Sequence, residues 1–361
     1  MPRKIVVNGK FASQKTTGVQ RVAASHVEGL IRKRTDGSLD GLELSIAYPS
    51  GIASKPFPGL AASAGKLKGV PWEQLELPQQ AGNGVLLSLC NVAPLARKGD
   101  VVMIHDAQAF ISPESYSKAF GLWYRTILPI LANRAAKVLT VSEYARQCLA
   151  EAHVAPYERI QVVHNGVDHV LSISADESIL RRLRLAGGDY ILALSTPQKH
   201  KNISTLMSAM TRVRQSDAGL KLVLMGSANA KTFADAGIEV HSDVVFAGRV
   251  TDEEMRTLYE NALAFAFPSL TEGFGLPPLE AMILGTPAIV ARAGAMPELC
   301  GSAAVYAEPQ NPDSWAEEVL RLAQSSEIYK SLSIASREQA QKFTWATATE
   351  SMAKHLLDVA G

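Results

Sequence analysis

Short, continuous apolar runs alternate along the chain with longer stretches whose apolar residues recur every three or four positions, the patterns of buried strands and amphipathic helices. The first half opens with a strand at Lys4-Ile5-Val6-Val7-Asn8, followed by a loop. A helix then begins near Thr17-Gly18, with Val19, Val22, Ala23, Val27, Leu30 and Ile31 on one face. Thr17 is placed to cap it, and Gly18 allows close approach of backbone to a ligand. Further strands are expected at Leu42–Tyr48, Val85–Leu89, Val101–Ile104, Val138–Val141 and Ile160–Val163. Residues 114–135 read as a helix with Phe120, Trp123, Ile127 and Leu131 on one face, and Pro129 should kink it. Ser142 reads as the N-cap of the helix that follows. The Gly/Ala/Pro/Lys-rich segment 50–82 shows little periodicity and is expected to be a long connection.

The pattern breaks at His164-Asn165-Gly166-Val167-Asp168, where a linker over about 166–174 is expected. His164 and His169, in this turn, read as structural. A second set follows, with strands at Tyr190–Leu194, Lys221–Met225, Val244–Ala247, Ala262–Phe267, Pro287–Val290 and Ala303–Tyr306. Helices run between them, one opened by the capping box Thr251-Asp252-Glu253-Glu254. Three more, at about 312–325, 327–342 and 345–359, close the chain. Strands alternating with helices twice over predict two doubly wound parallel sheets of α/β class, each with ligand-contacting groups beyond its strands' carboxyl ends.

Composition narrows the class. A chain of 361 residues suggests two domains. Net charge of +1 advertises no nucleic-acid surface. Cys90, Cys148 and Cys300 are widely spaced and odd in number, which fits a reducing compartment without a disulfide framework. No signal peptide or membrane-length apolar run is visible, and a cytosolic protein is expected. Residues 1–170 hold 19 Lys+Arg against 13 Asp+Glu, and the remainder 17 against 22. The positive half suits either an anionic inner leaflet or ordinary surface variation.

The chemistry concentrates at Pro268-Ser269-Leu270-Thr271-Glu272-Gly273-Phe274-Gly275-Leu276-Pro277-Pro278-Leu279-Glu280, a loop between a buried strand and a helix. Two glycines let the backbone approach a ligand, and the helix start favours a phosphate. Glu272 and Glu280 bracket that anion site with seven residues between them. Helical side chains lean toward the N-terminus, so Glu280 can reach the same ligand. A phosphate binder flanked by two hydrogen-bond acceptors suits a nucleotide sugar. There is no Walker-type loop, no complete dinucleotide fingerprint, no Asp-x-Asp pair and no Cys/His cluster with metal spacing.

These residues resemble the retaining glycosyltransferases of GT-B fold, family 4. The resemblance rests on Glu272 to Glu280, supported by Thr17-Gly18-Val19, His105-Asp106, Thr140-Val141-Ser142-Glu143, Asn165-Gly166-Val167-Asp168, Lys201-Asn202, Gly248 and Met296-Pro297-Glu298-Leu299. It implies an N-terminal acceptor-binding domain over 1–168, with the helix at 345–361 packing back on it. A nucleotide-sugar domain over 172–344 and a cleft between the two complete the expected organisation. Glu272 would contact the transferred sugar, and Gly273, Phe274, Gly275 and Leu276 would meet sugar and phosphates through their amides. Glu280 would hold the ribose, and Lys201 the diphosphate. Gly18 would let the first helix approach the diphosphate, and His105 would position the donor sugar. Where the family often has an arginine this chain has Thr196; Arg249 is the candidate second cation, with Lys199 or His200 behind it. Loops at Gly226-Ser227 and Gly248-Arg249-Val250 would form the base pocket. The resemblance further implies transfer with retention, without a metal or other cofactor. The Asn8-Gly9-Lys10-Phe11 opening is similar to polysaccharide-building enzymes, several of them mannosyltransferases. It favours GDP-mannose over a UDP-hexose, and a glycan or polyprenyl-linked oligosaccharide as acceptor at the inner leaflet.

Overall fold

The computed structural model describes residues 3–52, 56–216 and 218–360. Pro2, residues 53–55 of the expected connection and the last residue of the expected final helix lie outside the described residues. The chain forms two compact units: Val167–Phe343 is one, and the segments before and after it make the other.

The first unit is built on a seven-stranded parallel sheet. Its strands are β1 (Arg3–Asn8), β2 (Leu42–Tyr48), β3 (Ala61–Ala64), β4 (Val85–Ser88), β5 (Val101–Met103), β6 (Lys137–Thr140) and β7 (Ile160–Val162), in spatial order β3-β2-β1-β4-β5-β6-β7. Every pair is parallel, as with Arg3 to Asn8 of β1 in register with Leu42 to Ala47 of β2. Strands buried on both faces read as unbroken apolar runs, which is why most of them are visible in the sequence. Strand β3 is the exception. It is an edge strand, and its Ala-Ala-Ser-Ala carries no apolar signal. The stretch expected as a long connection contains this strand, a π-helical turn at Trp72–Glu76 and a short helix at Leu77–Ala81. Trp72 and Leu77 are wholly buried and pack with Val6 and Leu86, so tertiary burial orders a segment that lacks periodicity.

Helix α1 (Gly18–Thr35) begins beyond β1, and the Thr17 N–H donates to Gln20 Oε1 at 3.2 Å. Helix α2 (Lys118–Arg134) starts at Ser117, whose hydroxyl caps Phe120 N–H, and it runs through Pro129. Helix α3 (Glu143–Glu151) starts at Ser142, which accepts from Ala145 N–H. Its Leu149 packs with Ile127, Leu131 and Val138.

The second unit holds six parallel strands: β8 (Tyr190–Leu194), β9 (Lys221–Met225), β10 (Val244–Gly248), β11 (Ala264–Phe267), β12 (Ala288–Ala291) and β13 (Val305–Ala307). Their order is β10-β9-β8-β11-β12-β13. Chain order reverses at the β8/β11 pair, the place where such sheets open a crevice for ligands. Helix α4 (Ile203–Gln215) buries Leu206, Met207, Met210 and Val213 against this sheet, each contributing about 2 kcal/mol. The others are α5 (Asp252–Asn261), α6 (Leu276–Ile283), α7 (Pro312–Gln324) and α8 (Ser326–Ala340).

The chain then returns to the first unit as helix α9 (Trp345–Ala360). The Trp345 ring meets His26 of α1 edge-on, with centroids 5.5 Å apart. Nearby, Arg3 Nη1 donates to Val359 O at 3.0 Å.

Candidate nucleotide-sugar site

In the second unit, Lys201 follows β8 and Glu272 follows β11, two hydrogen-bonded neighbours. The Lys199–Lys201 turn ends at Asn202, whose left-handed backbone (φ 53°) suits Asn better than most residues. Asn202 Nδ2 donates to Pro268 O at 3.2 Å and Pro309 O at 2.6 Å, tying the turn to the end of β11. Leu270 N–H donates to His200 O at 2.8 Å. So fixed, Lys201 Nζ pairs with Glu272 Oε1, which also accepts from Ser269 Oγ at 2.9 Å. Both side chains keep partial exposure, at 22% and 17%, so a ligand can reach them.

Glycine holds Glu272 in place from the other side. Gly294 has φ +61°, and a Cβ there would lie 2.8 Å from Glu272 N. Ala295 N–H donates to Glu272 O at 3.2 Å. Gly275, at φ +117°, is the N-cap of α6, and no side chain caps that helix start. The start therefore offers its dipole and the Leu276 N–H to an anion, since Pro277 and Pro278 carry no N–H.

Glu280, on the second turn of α6, is buried. Tyr259 O–H donates to its Oε2 at 3.1 Å, and His169 Nε2 lies 3.4 Å from its Oε1. An ionised carboxylate has about four lone-pair positions, so these two neighbours leave acceptor capacity for a diol. His169, read from the sequence as structural, lies against Glu280. No signal in the sequence pairs these two residues, because Asp168–Ser172 meets α6 only through tertiary packing. Ser269 and Tyr259 were missed for the same reason. Phe274 is buried with its ring edge-on to Phe343 at 5.9 Å, so that residue also anchors the loop.

Arg249 and Val250 lie beyond β10, at the sheet edge. Gly226 N–H donates to Gly248 O at 2.8 Å, which couples the two loops expected to form a base pocket. Strand β10 is two positions from β8, roughly 10 Å. Arg249 is exposed.

Gly18 and His105 belong to the first unit. Gly18 opens α1 and is exposed. The His105 ring is buried, its Nε2 2.7 Å from Leu89 O, which identifies Nε2 as the protonated nitrogen. Its backbone N–H donates to Asn91 Oδ1 at 2.8 Å. Burial pulls the imidazole pKa down to about 4, so it is neutral at pH 7 and serves as a hydrogen-bonding group. Asp106 Oδ1 accepts from Gln108 N–H at 2.9 Å and opens the next turn.

Residues 188–325 match the family described as glycosyl transferases group 1, and residues 85–171 match Glycosyltransferase Family 4. The O-antigen chain mannosyltransferase RfbU of Salmonella typhimurium is 27% identical over 70% of this chain and 69% of its own. O-antigen chain mannosyltransferase B of Escherichia coli is 28% identical over 69% and 68%. Anabaena HepE, solved with UDP and glucose, superposes with a TM-score of 0.73 over 98% of this chain and 99% of its own, at 19% identity. The chain has the GT-B fold and is similar to family-4 glycosyltransferases, bacterial sugar transferases among them. Among the described residues, no group of three or more His, Cys, Asp or Glu is placed to hold a metal ion. No helix among them is long and apolar enough to cross a membrane.

Proposed function

We propose that this protein transfers a hexose from a nucleoside-diphosphate sugar to a glycan or lipid-linked acceptor in bacterial polysaccharide synthesis. The observation that carries the reading is the grouping at α6: an uncapped helix start, the Lys201–Glu272 pair before it and buried Glu280 behind it. In this reading the diphosphate lies at the helix start, and Lys201 turns from Glu272 to the leaving phosphate. Stabilising charge on the leaving group is the largest contribution such a site can make. Glu272, released from the lysine, accepts from sugar hydroxyls, while Glu280 holds the ribose. The Gly273, Phe274, Gly275 and Leu276 amides face sugar and phosphate. His105, neutral and with its Nε2–H held by Leu89 O, positions the sugar by accepting from a hydroxyl at Nδ1.

Retention and independence of a metal belong to the same proposal: the acceptor hydroxyl attacks from the face the nucleotide leaves. A UDP-hexose donor is supported by the UDP and glucose seen in HepE, and GDP-mannose by the names of the O-antigen relatives. The basic balance of residues 1–170 supports peripheral contact with an anionic inner leaflet.

A thermal-shift panel of UDP, GDP, ADP and NAD tests the proposal, since a ligand that binds only the folded state raises its melting temperature. One nucleoside diphosphate should stabilise the protein, and its hexose conjugate should be turned over. Stabilisation by NAD alone would indicate an oxidoreductase and remove the reading.

A further inference from the structure

One short segment holds His105 at two points. Strand β4 ends at Ser88, and Leu89, Cys90 and Asn91 follow it. Leu89 O takes the ring proton at Nε2, which fixes the tautomer and leaves Nδ1 as an acceptor. Asn91 Oδ1 takes the backbone N–H, which fixes where the side chain starts.

The second contact is a substitution within the sheet. Strands β4 and β5 pair in parallel, and beyond their paired residues Asn91 N–H donates to Met103 O at 3.0 Å. In a continuing parallel ladder the His105 N–H would then meet the Asn91 backbone carbonyl. Asn91 instead has a left-handed backbone, φ 65°, and the strand pattern stops there. Its side-chain Oδ1 stands where the carbonyl would have been. The neighbouring flank is tied as well: Ile104 N–H donates to Leu139 O at 2.8 Å, and Thr140 Oγ1 to Ile104 O at 2.7 Å. The Asn91 amide also hydrogen-bonds the Tyr124 hydroxyl of α2, so it is held from two sides.

A left-handed turn favours glycine, which would close this one without offering any side chain. Asparagine is among the few other residues that adopt the conformation, and it adds an acceptor. We infer that Asn91 is a positioning residue for glycosyl transfer: by holding the His105 N–H it sets where the imidazole presents Nδ1 to the donor sugar. The inference rests on the glycosyl-transfer reading, with His105 at the sugar.

Asn91→Gly isolates the role, because it keeps the turn and removes the acceptor. UDP-glucose and GDP-mannose serve as donors, with release of the nucleoside diphosphate as the readout. The variant should lower kcat about tenfold or more, since misplacing a reacting group by about 1 Å can cost about a hundredfold. Donor KM should change little, and stabilisation by the nucleoside diphosphate should match wild type, because it reports the other unit. A His105→Ala background shows whether Asn91 acts through the histidine. There Asn91→Gly should cost nothing further, since two residues working as one pair are not additive. An equal loss in both backgrounds, or an unchanged kcat in Asn91→Gly, would overturn the inference. Ring-nitrogen NMR of isotope-labelled histidine needs no donor. The His105 signals, identified by their loss in His105→Ala, should report Nε2–H in the wild type and move in Asn91→Gly. Unmoved signals would overturn the inference too. Turnover of neither donor by the wild-type chain, or a wild-type rate in His105→Ala, would instead strike the parent reading.

Discussion

Lys201 Nζ and Glu272 Oε1 form an ion pair between residues 71 positions apart, joining the loops after two adjacent strands. Each side chain holds the other where a diphosphate and a sugar would arrive. Lys201→Met should therefore slow transfer by about 10²–10³, the usual loss when one preorganised charge is removed. Because the pair is partly exposed, the melting temperature should stay close to wild type. Steady-state kinetics beside thermal melts check both halves, and a large stability loss with unchanged kcat would reverse the assignment.

Glu280 offers a separate test. Glu280→Ala removes the acceptor beside Tyr259 and His169, and should abolish the thermal shift given by the nucleoside diphosphate. Tyr259→Phe keeps the carboxylate and should retain most of the shift. An unchanged shift in Glu280→Ala would end the ribose assignment.

Gly294→Ala probes how Glu272 is placed. The new Cβ would stand 2.8 Å from Glu272 N, a backbone atom that cannot rotate away, and the residue would sit at φ +61°. Backbone strain of this kind costs about 1–3 kcal/mol. Activity should fall more than stability, since the displaced atoms belong to Glu272. Equal losses in kcat and in chemical-denaturation midpoint would argue for a general packing defect.

His26 sets an acid limit. On α1 it is fully buried against Trp345 with neither ring nitrogen hydrogen-bonded, and burial followed by the neighbouring His105 pulls its pKa from 6.5 down to about 3. The unfolded chain therefore binds a proton that the folded chain refuses, so stability should decline as pH falls from 6.5 toward 3. His26→Leu should flatten that decline and raise stability near pH 7 by about 1–3 kcal/mol, because two unpaired buried nitrogens disappear. Urea denaturation from pH 7.5 to 4.5 reads both effects. His105, also shifted down by burial, should keep some slope in the variant.

The sequence by itself determined the two parallel sheets, because strands buried on both faces must be apolar along their whole length and so stand out. It also determined the loop and helix at Glu272–Glu280, where glycines, prolines and acids fall in one local run. What lacked a local signature was left to the tertiary structure. Edge strand β3 is nearly all alanine, and the π-turn at Trp72–Glu76 is ordered by burial of Trp72 and Leu77. The His169–Glu280 and Lys201–Glu272 contacts join residues far apart in the chain, and only the strand order β8-β11 and the packing of α6 bring them together. Local patterns select elements because helix and strand periods act over a few residues. Sites are assembled by contacts between elements, and no single stretch of sequence records those.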